Sequence, residues 1–241
     1  MSRQIRYGSR ARLGYILPSV NLASECQLPA MAPPGVSLHF TRLKLTSVDE
    51  EALRRMADGL EDAVMLLKDA GVASITFHCT SVTTYAPGTD ERLIERIRAA
   101  TGLPATATGR AVIAAFRALG ATRVVLVTPY PQHVNHKEEA FLGANGIGVV
   151  RSWAEGINEG LAMFEVDASV WRERTIENRH ADADAYFLSC TQIRSVEVID
   201  ELEAALGKPV VTSTSAALWQ SLRMAGIEDR VEGYGRLLIA H

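Results

Sequence analysis

The sequence predicts an α/β protein made of two similar halves, each a four-stranded parallel sheet covered by helices. Short runs rich in β-branched residues alternate along the chain with longer amphipathic segments, as in sheets whose parallel strands are joined by helices. Matching segments recur at a constant spacing of 111 residues, as between Cys79 and Cys190, which indicates a duplicated unit. A chain of 241 residues is long enough for two such lobes.

Eight short apolar runs have the length and residue types of buried strands. They are Arg12–Leu17, Val36–Leu43, Ala73–Phe77, Ala105–Ala107, Arg123–Thr128, Gly148–Trp153, Ala185–Ser189 and Val210–Thr212. Between them, apolar residues at helical spacing followed by Gly71 predict one helix over Asp49–Ala70. Six further segments are predicted as helices: Asp90–Ala100, Arg110–Leu119, Asn135–Ala144, Ala168–His180, Ser195–Leu206 and Ser215–Met224.

The internal repeat sets the predicted domain boundaries. Three residue pairs share the offset of 111: Pro18 with Pro129, Gly35 with Gly146, and Cys79 with Cys190. One such pair would mean little, whereas three at one offset indicate duplicated β-α-β lobes. We therefore predict an N-terminal lobe over residues 1–110, completed by 215–241, and a C-terminal lobe over 111–214.

Composition narrows the class of protein. Apolar residues make up 47% of the chain and charged residues 22%, which is ordinary for a globular protein. A formal net charge of −3 offers no basic surface for nucleic acid or anionic lipid. The sequence has neither a signal-peptide core nor an apolar run long enough to cross a membrane. Only three cysteines are present, which favours free thiols in the reducing cytoplasm.

Both repeated cysteines follow predicted strands and precede small polar residues. Cys79 is followed by Thr80 and Ser81, and Cys190 by Thr191 and Gln192. In open parallel sheets, ligands bind beyond the carboxyl ends of the strands, where helix N-termini present free N–H groups. There we expect the two sulfurs to approach one cleft, the thiols to ionise more easily than usual, and backbone N–H groups to hold a carboxylate. A single cysteine after a buried strand would more often be structural. Cys26 has no counterpart in the second half, so we expect it to be a packing or surface residue.

These motifs resemble those of the aspartate/glutamate racemase superfamily, and within it the branch of maleate cis–trans isomerases and arylmalonate decarboxylases. The similarity rests on four motifs spread over nearly the whole chain: Pro18-Ser-Val-Asn21, Cys79-Thr-Ser81, Thr128-Pro-Tyr130 and Cys190-Thr-Gln192. It implies two flavodoxin-like lobes related by a pseudo-twofold axis, a cleft between them and no cofactor or metal ion. It also implies a small dicarboxylate substrate, with Asn21, Tyr130 and Asn158 as carboxylate-binding residues, and a homo-oligomer, either dimer or tetramer, is expected.

Departures from the family patterns leave several chemistries open. Thr80-Ser81 and Thr191-Gln192-Ile193 differ from the corresponding motifs of glutamate racemases, while arylmalonate decarboxylases have glycine in place of Cys79. We therefore predict a cofactor-independent isomerase in which Cys79 attacks the alkene and Cys190 delivers a proton. The alternatives are a racemase or decarboxylase of the same superfamily, including an ectoine-utilisation role favoured by the charge of Arg194 near the second cysteine. A non-catalytic protein that binds a small carboxylate is the alternative from another class.

Overall fold

The computed structural model describes residues 7–241, so residues 1–6 of the predicted first lobe lie outside it. The described chain forms two four-stranded parallel sheets, which confirms the predicted fold class. The first sheet contains β1 (Ala11–Pro18), β2 (Val36–Leu43), β3 (Ser74–Phe77) and β4 (Ala105–Ala107). The second contains β5 (Arg123–Thr128), β6 (Gly148–Ala154), β7 (Ala185–Leu188) and β8 (Val210–Thr212).

Helices join these strands, as parallel connections require. In the first half they are α1 (Ser24–Met31), α2 (Glu50–Arg55), α3 (Leu60–Asp69), α4 (Thr80–Thr84), α5 (Thr89–Thr101) and α6 (Thr108–Ala118). In the second half they are α7 (Gln132–Ala144), α8 (Gly160–Glu165), α9 (Ala168–Glu177), α10 (Ile199–Leu206), α11 (Ser213–Met224) and α12 (Arg236–Ala240). A 3-10 turn, Val196–Val198, leads into α10.

The two sheets repeat one another in strand order and in register. Their orders are β2-β1-β3-β4 and β6-β5-β7-β8. In the first sheet Leu13 pairs with Ser74, and in the second Val124 pairs with Ala185, so both members are displaced by 111 residues. The central pairing of each sheet therefore has the register that the sequence repeat predicts.

The two halves share a continuous apolar core. Helix α11, which follows the last strand of the second sheet, packs against α6, α1 and β3 of the first half. In the reverse direction, Phe116 of α6 lies edge to face with Phe187 of β7, with ring centroids 5.7 Å apart. This exchange fits the prediction that the C-terminal segment completes the first lobe, although the boundaries themselves stay a prediction.

The prediction of one continuous helix over Asp49–Ala70 is wrong, because the structure has two helices there, α2 and α3. A turn over residues 56–59 separates α2 from α3, and Gly59 precedes α3 where a side chain would press on Leu43 at 3.3 Å. Leu53, Met56 and Leu60 are nevertheless buried, so the apolar face was assigned correctly. Other predicted helix ends shift by about one turn or less. Four short helices were not predicted: α1, α4, α8 and α12.

Candidate active site

Both repeated cysteines line one small cavity between the two halves of the molecule. The cavity has a volume of about 30 Å³, which is room for about two water molecules. Cys79 and Cys190 are only 3% and 4% exposed, and each lies two residues beyond the end of the equivalent strand, β3 or β7. The structure thus brings the two thiols to a common cleft, as the repeat predicts.

Cys79 begins the short helix α4. It occupies the N-cap position in an extended conformation, and its Sγ lies 3.6 Å from Oγ of Ser81. Burial raises the pKa of the Cys79 thiol, while the backbone N–H groups of Val82 and Ser81 and the Ser81 hydroxyl oppose that rise. The expectation that the start of a helix would make this thiol unusually acidic is therefore wrong, because burial of the sulfur outweighs the effect of the N–H groups.

Cys190 has a different local structure. No α-helix begins after it, and its backbone has a φ of +119°, which non-glycine residues rarely adopt. Its N–H donates to Oγ of Ser213 over 3.0 Å, and the N–H of Gln192 donates to its sulfur over 3.3 Å. Burial raises the pKa of the Cys190 thiol to about 12, although interaction with the Tyr130 hydroxyl lowers it. The predicted acidity of this thiol is also wrong.

Tyr130 and Asn21, the predicted carboxylate-binding residues, both line the cavity. Burial raises the pKa of the Tyr130 hydroxyl well above its usual value, and the neighbouring Cys190 thiol adds to the rise. The phenol therefore remains a neutral donor. Asn21 is fully buried, and its amide nitrogen already donates to the carbonyl oxygen of Thr191 over 3.0 Å. Its amide is thus held by the protein in this structure, and its role in carboxylate binding stays a prediction.

The polar residues after each cysteine also lie in the cavity wall, and they tie the halves together. Oγ1 of Thr80 donates to Oγ of Ser213 over 2.8 Å. The Gln192 side chain donates to the carbonyl oxygens of Val20 and Gly160 over 2.8 and 3.1 Å. Its amide oxygen accepts the N–H of Leu22 over 2.8 Å. Gln192 therefore joins its own loop to two other segments of the cavity wall, the one around Val20 and the one around Gly160.

Asn158 lies elsewhere, on the surface and outside the cavity wall. The next residue, Glu159, forms an antiparallel bridge with Ser47, and the N–H of Gly160 donates to the carbonyl oxygen of Thr46. This pairing turns Gly160 toward the cavity and leaves Asn158 outside it. Asn158 therefore does not line this cavity, and its contact with a bound carboxylate stays a prediction.

The surface of the cavity wall is mostly apolar, and none of the described residues that line it carries a charged side chain. Its apolar part is formed by Pro18, Val20, Leu45, Val48 and Met163. A carboxylate held here must therefore be bound by neutral hydroxyl, amide and backbone donors rather than by arginine or lysine. Among residues 7–241 there is also no group of three or more His, Cys, Asp or Glu placed to hold a metal ion.

Three buried polar residues near the cysteines were missed by the sequence analysis: Ser189, Ser213 and Glu138. A signal existed for Ser213, because Thr212 and Ser215 around it form a capping box. Glu138 gave none, since it lies in a helix with polar residues on most sides. His78, which directly precedes Cys79, is also fully buried, and burial lowers its pKa to about 3, so it is a neutral histidine of the core.

Comparison with known proteins assigns the chain to a family of enzymes. The family model for arylmalonate decarboxylase matches residues 13–238. The chain belongs to the arylmalonate decarboxylase family. It is 34% identical to the arylmalonate decarboxylase of Bordetella bronchiseptica over 208 residues, covering 85% of this chain and 87% of that protein. It is 30% identical to the maleate isomerase of Nocardia farcinica over 244 residues, covering 94% and 95% of the two chains.

A solved structure adds chemistry to the family assignment. A cysteine-to-serine variant of the Nocardia farcinica maleate cis–trans isomerase, with a covalently bound succinylcysteine intermediate, superposes with a TM-score of 0.92 at 26% identity. The match covers 96% of this chain and 99% of that one. The family resemblance and the prediction of an enzyme acting on a small molecule are therefore confirmed. Among residues 7–241, no helix is long and apolar enough to span a membrane.

Proposed function

We propose that this family member catalyses cofactor-independent cis–trans isomerisation of a small, maleate-type dicarboxylate with Cys79 and Cys190. The observation that carries the proposal is the meeting of two cysteines, from equivalent positions of a duplicated fold, in the wall of one small cavity. The maleate isomerases among its relatives, one of them crystallised as a succinylcysteine adduct, support this chemistry.

The proposed reaction needs only the two sulfurs. The Cys79 thiolate attacks one alkene carbon, and the neighbouring carbon takes the proton of the Cys190 thiol. The former double bond is now single and rotates. The Cys190 thiolate then removes a proton from that neighbouring carbon, the alkene reforms in the trans geometry, and Cys79 leaves. Covalent capture replaces one high barrier by two lower ones, and both thiols return to their starting state.

The surroundings of the two thiols support this division of roles. The backbone N–H groups of Ser81 and Val82 favour the thiolate of Cys79, as a nucleophile requires. The Cys190 thiol, with its pKa raised to about 12, keeps its proton at neutral pH and can donate it. Cys79 must lose its own proton before it attacks, and we assign that proton to a carboxylate of the incoming substrate.

Neutral donors hold the carboxylates in this proposal. They are the Tyr130 hydroxyl, the Asn21 amide, and the hydroxyl and N–H groups of Thr80, Ser81, Thr191 and Gln192. Asn21 exchanges its hydrogen bond with Thr191 for one with the substrate. The hydrogen bonds of the Gln192 side chain to Val20, Leu22 and Gly160 break when the substrate enters the cavity. Asn158 is left out because it lies outside the cavity. A homo-oligomer and a cytoplasmic location remain predictions.

One observation favours a second candidate function, the decarboxylation or racemisation of a substituted malonate or related acid. The cavity wall includes the apolar side chains of Leu45, Val48 and Met163, which maleate itself does not need. Such a wall suits a substrate with an apolar substituent, and a relative that is 34% identical is an arylmalonate decarboxylase. In this reaction the thiols serve only as acid and base.

A substrate panel followed by NMR in deuterated water separates these functions. The panel contains maleate, substituted maleates, arylmalonates and acids derived from ectoine. Conversion of a cis alkene into its trans isomer supports the proposal. Loss of CO₂, or exchange of an α-proton for deuterium without a change of alkene, supports the second candidate. Binding without any of these changes indicates a carboxylate-binding protein and contradicts both.

Cysteine variants provide the matched controls for this panel. Cys79→Ser and Cys190→Ser should each abolish turnover, because each removes one of the reacting groups. Cys26→Ser should turn over like the wild type, since Cys26 is an exposed cysteine outside the cavity wall. Isomerisation by Cys79→Ser at the rate of the wild type would refute the proposal.

A further inference from the structure

A buried carboxyl group lies behind the second cysteine. Glu138 of α7 is completely buried, and its Oε1 accepts a hydrogen bond from Oγ of Ser189 over 2.6 Å. Its other oxygen, Oε2, has no hydrogen-bond partner among residues 7–241. A buried carboxylate with one donor is costly, whereas the neutral acid is tolerated much better. The geometry therefore favours a protonated Glu138.

The charges around Glu138 agree with this protonation state. Burial raises the pKa of its carboxyl to about 8, the hydrogen bond from Ser189 opposes the rise, and the neighbouring carboxylate of Glu139 adds to it. The other titratable groups that interact electrostatically with Glu138 are the Tyr130 hydroxyl and the Cys190 thiol. No cation is among these groups, so the hydrogen bond from Ser189 is the one named contact that favours the ionised carboxylate, and burial outweighs it.

Glu138 and Ser213 hold the backbone around Cys190 from two sides. Ser189, which directly precedes the cysteine, is fixed through its hydroxyl by Glu138. Ser213 accepts the N–H of Cys190 itself. Between these two contacts the cysteine keeps its φ of +119°, a conformation that persists only where neighbouring contacts enforce it.

We propose that Glu138 is a positioning residue for Cys190: its hydrogen bond with Ser189 fixes the turn that carries this thiol, and it stays protonated while the enzyme works. This inference rests on the proposed function, in which Cys190 donates and then recovers a proton. An ionised Glu138 would place a negative charge beside a sulfur that must itself become negative, and would oppose that step.

The proposal predicts different results for two substitutions. Glu138→Gln keeps an acceptor for Ser189 and removes the charge, so it should retain most of kcat at neutral pH. We expect kcat of the wild type to fall above pH 8, where Glu138 ionises, and Glu138→Gln should abolish that fall. Glu138→Ala removes the acceptor, so kcat should fall roughly 100-fold with little change in KM, as expected when a reacting group is displaced by about 1 Å. The assay is the pH profile of kcat and KM on whichever acid the panel identifies.

A second readout does not depend on activity. In the Cys26→Ser, Cys79→Ser background Cys190 is the one remaining cysteine of the three, and its alkylation by iodoacetamide can be followed by mass spectrometry as a function of pH. Adding Glu138→Gln should speed alkylation above pH 8 about three- to tenfold, because half a pKa unit to one unit in the thiol changes the thiolate fraction by that factor. Adding Glu173→Gln, which changes an exposed carboxyl of α9, should leave the rate unchanged.

The two readouts separate failure of this inference from failure of the proposed function. If the protein isomerises no acid of the panel but Glu138→Gln still speeds alkylation of Cys190, the proposed isomerase function is refuted and the role of Glu138 is supported. Equal alkylation rates with and without Glu138→Gln, or a Glu138→Ala enzyme with undiminished kcat, would overturn the role of Glu138.

Discussion

Ser213 is the residue through which the two cysteine-bearing loops touch. Its Oγ accepts the N–H of Cys190 and the hydroxyl of Thr80, which belong to opposite halves of the molecule. It is the first residue of α11, after the N-cap Thr212, so Ser213→Ala leaves the capping box intact and suits the helix. The substitution therefore isolates the two buried hydrogen bonds.

The expected loss of stability follows from these two contacts. A buried N–H left without an acceptor costs about 1–3 kcal/mol, and loss of an ordinary hydrogen bond such as that from Thr80 costs about 0.5–1.5 kcal/mol. We expect Ser213→Ala to lower the free energy of unfolding by about 2–4 kcal/mol in all. Turnover should fall as well, because the strained backbone of Cys190 loses one of the contacts that maintain it.

Urea unfolding followed by circular dichroism measures this loss, with the slope m unchanged if the native fold is retained. Ser195→Ala is the matched control. Ser195 is also completely buried, but its hydroxyl has no hydrogen-bond partner, so its removal should cost little. A loss below about 0.5 kcal/mol for Ser213→Ala, or an equal loss for both variants, would refute the reasoning.

Three further predictions concern other positions. Tyr130→Phe should weaken binding of the identified substrate roughly 10- to 150-fold in a titration, since a hydrogen bond to a charged group contributes about 1.5–3 kcal/mol; unchanged affinity would remove Tyr130 from the site. Hydrogen bonds from Arg123 and from the neighbouring Thr122 lower the pKa of Asp184 to about 2. Asp184→Asn should therefore lower the free energy of unfolding at neutral pH. In urea unfolding, the difference in this free energy from the wild type should disappear as pH falls from 3.8 to about 2. A difference that persists below pH 2 would contradict the prediction. Folding raises the pKa of Glu138 to about 8, so this residue should make the free energy of unfolding of the wild type fall as pH rises from 4.5 to 8. Glu138→Gln should abolish this fall in urea unfolding. Equal dependence of the free energy of unfolding on pH in both proteins would contradict the prediction.

The sequence predicted those features that depend on local pattern and repetition. All eight strands were located because buried parallel strands are short, apolar and β-branched. The shared register of the two sheets followed from one offset, and the carboxyl ends of equivalent strands brought Cys79 and Cys190 to the same cavity. These features require no knowledge of how distant side chains pack.

Features that depend on tertiary packing were not predictable. The thiols were expected to be acidic because of the adjacent backbone N–H groups, but burial in the folded protein raises the pKa of both instead. The break between α2 and α3 places Gly59 against Leu43 of the neighbouring strand, a contact invisible in the helical periodicity. Glu138 was missed because only the folded chain shows that its side of α7 faces Ser189.

The most direct test of the central claim is intact-protein mass spectrometry of Cys190→Ser after incubation with maleate, or with whichever cis acid the wild type isomerises. The proposed mechanism predicts a covalent adduct that peptide mapping places on Cys79, because attack by this thiol does not require the second sulfur. The same treatment should give no adduct with Cys79→Ser. Absence of an adduct on Cys190→Ser, with an acid that the wild type demonstrably isomerises, would contradict the assignment of Cys79 as the nucleophile.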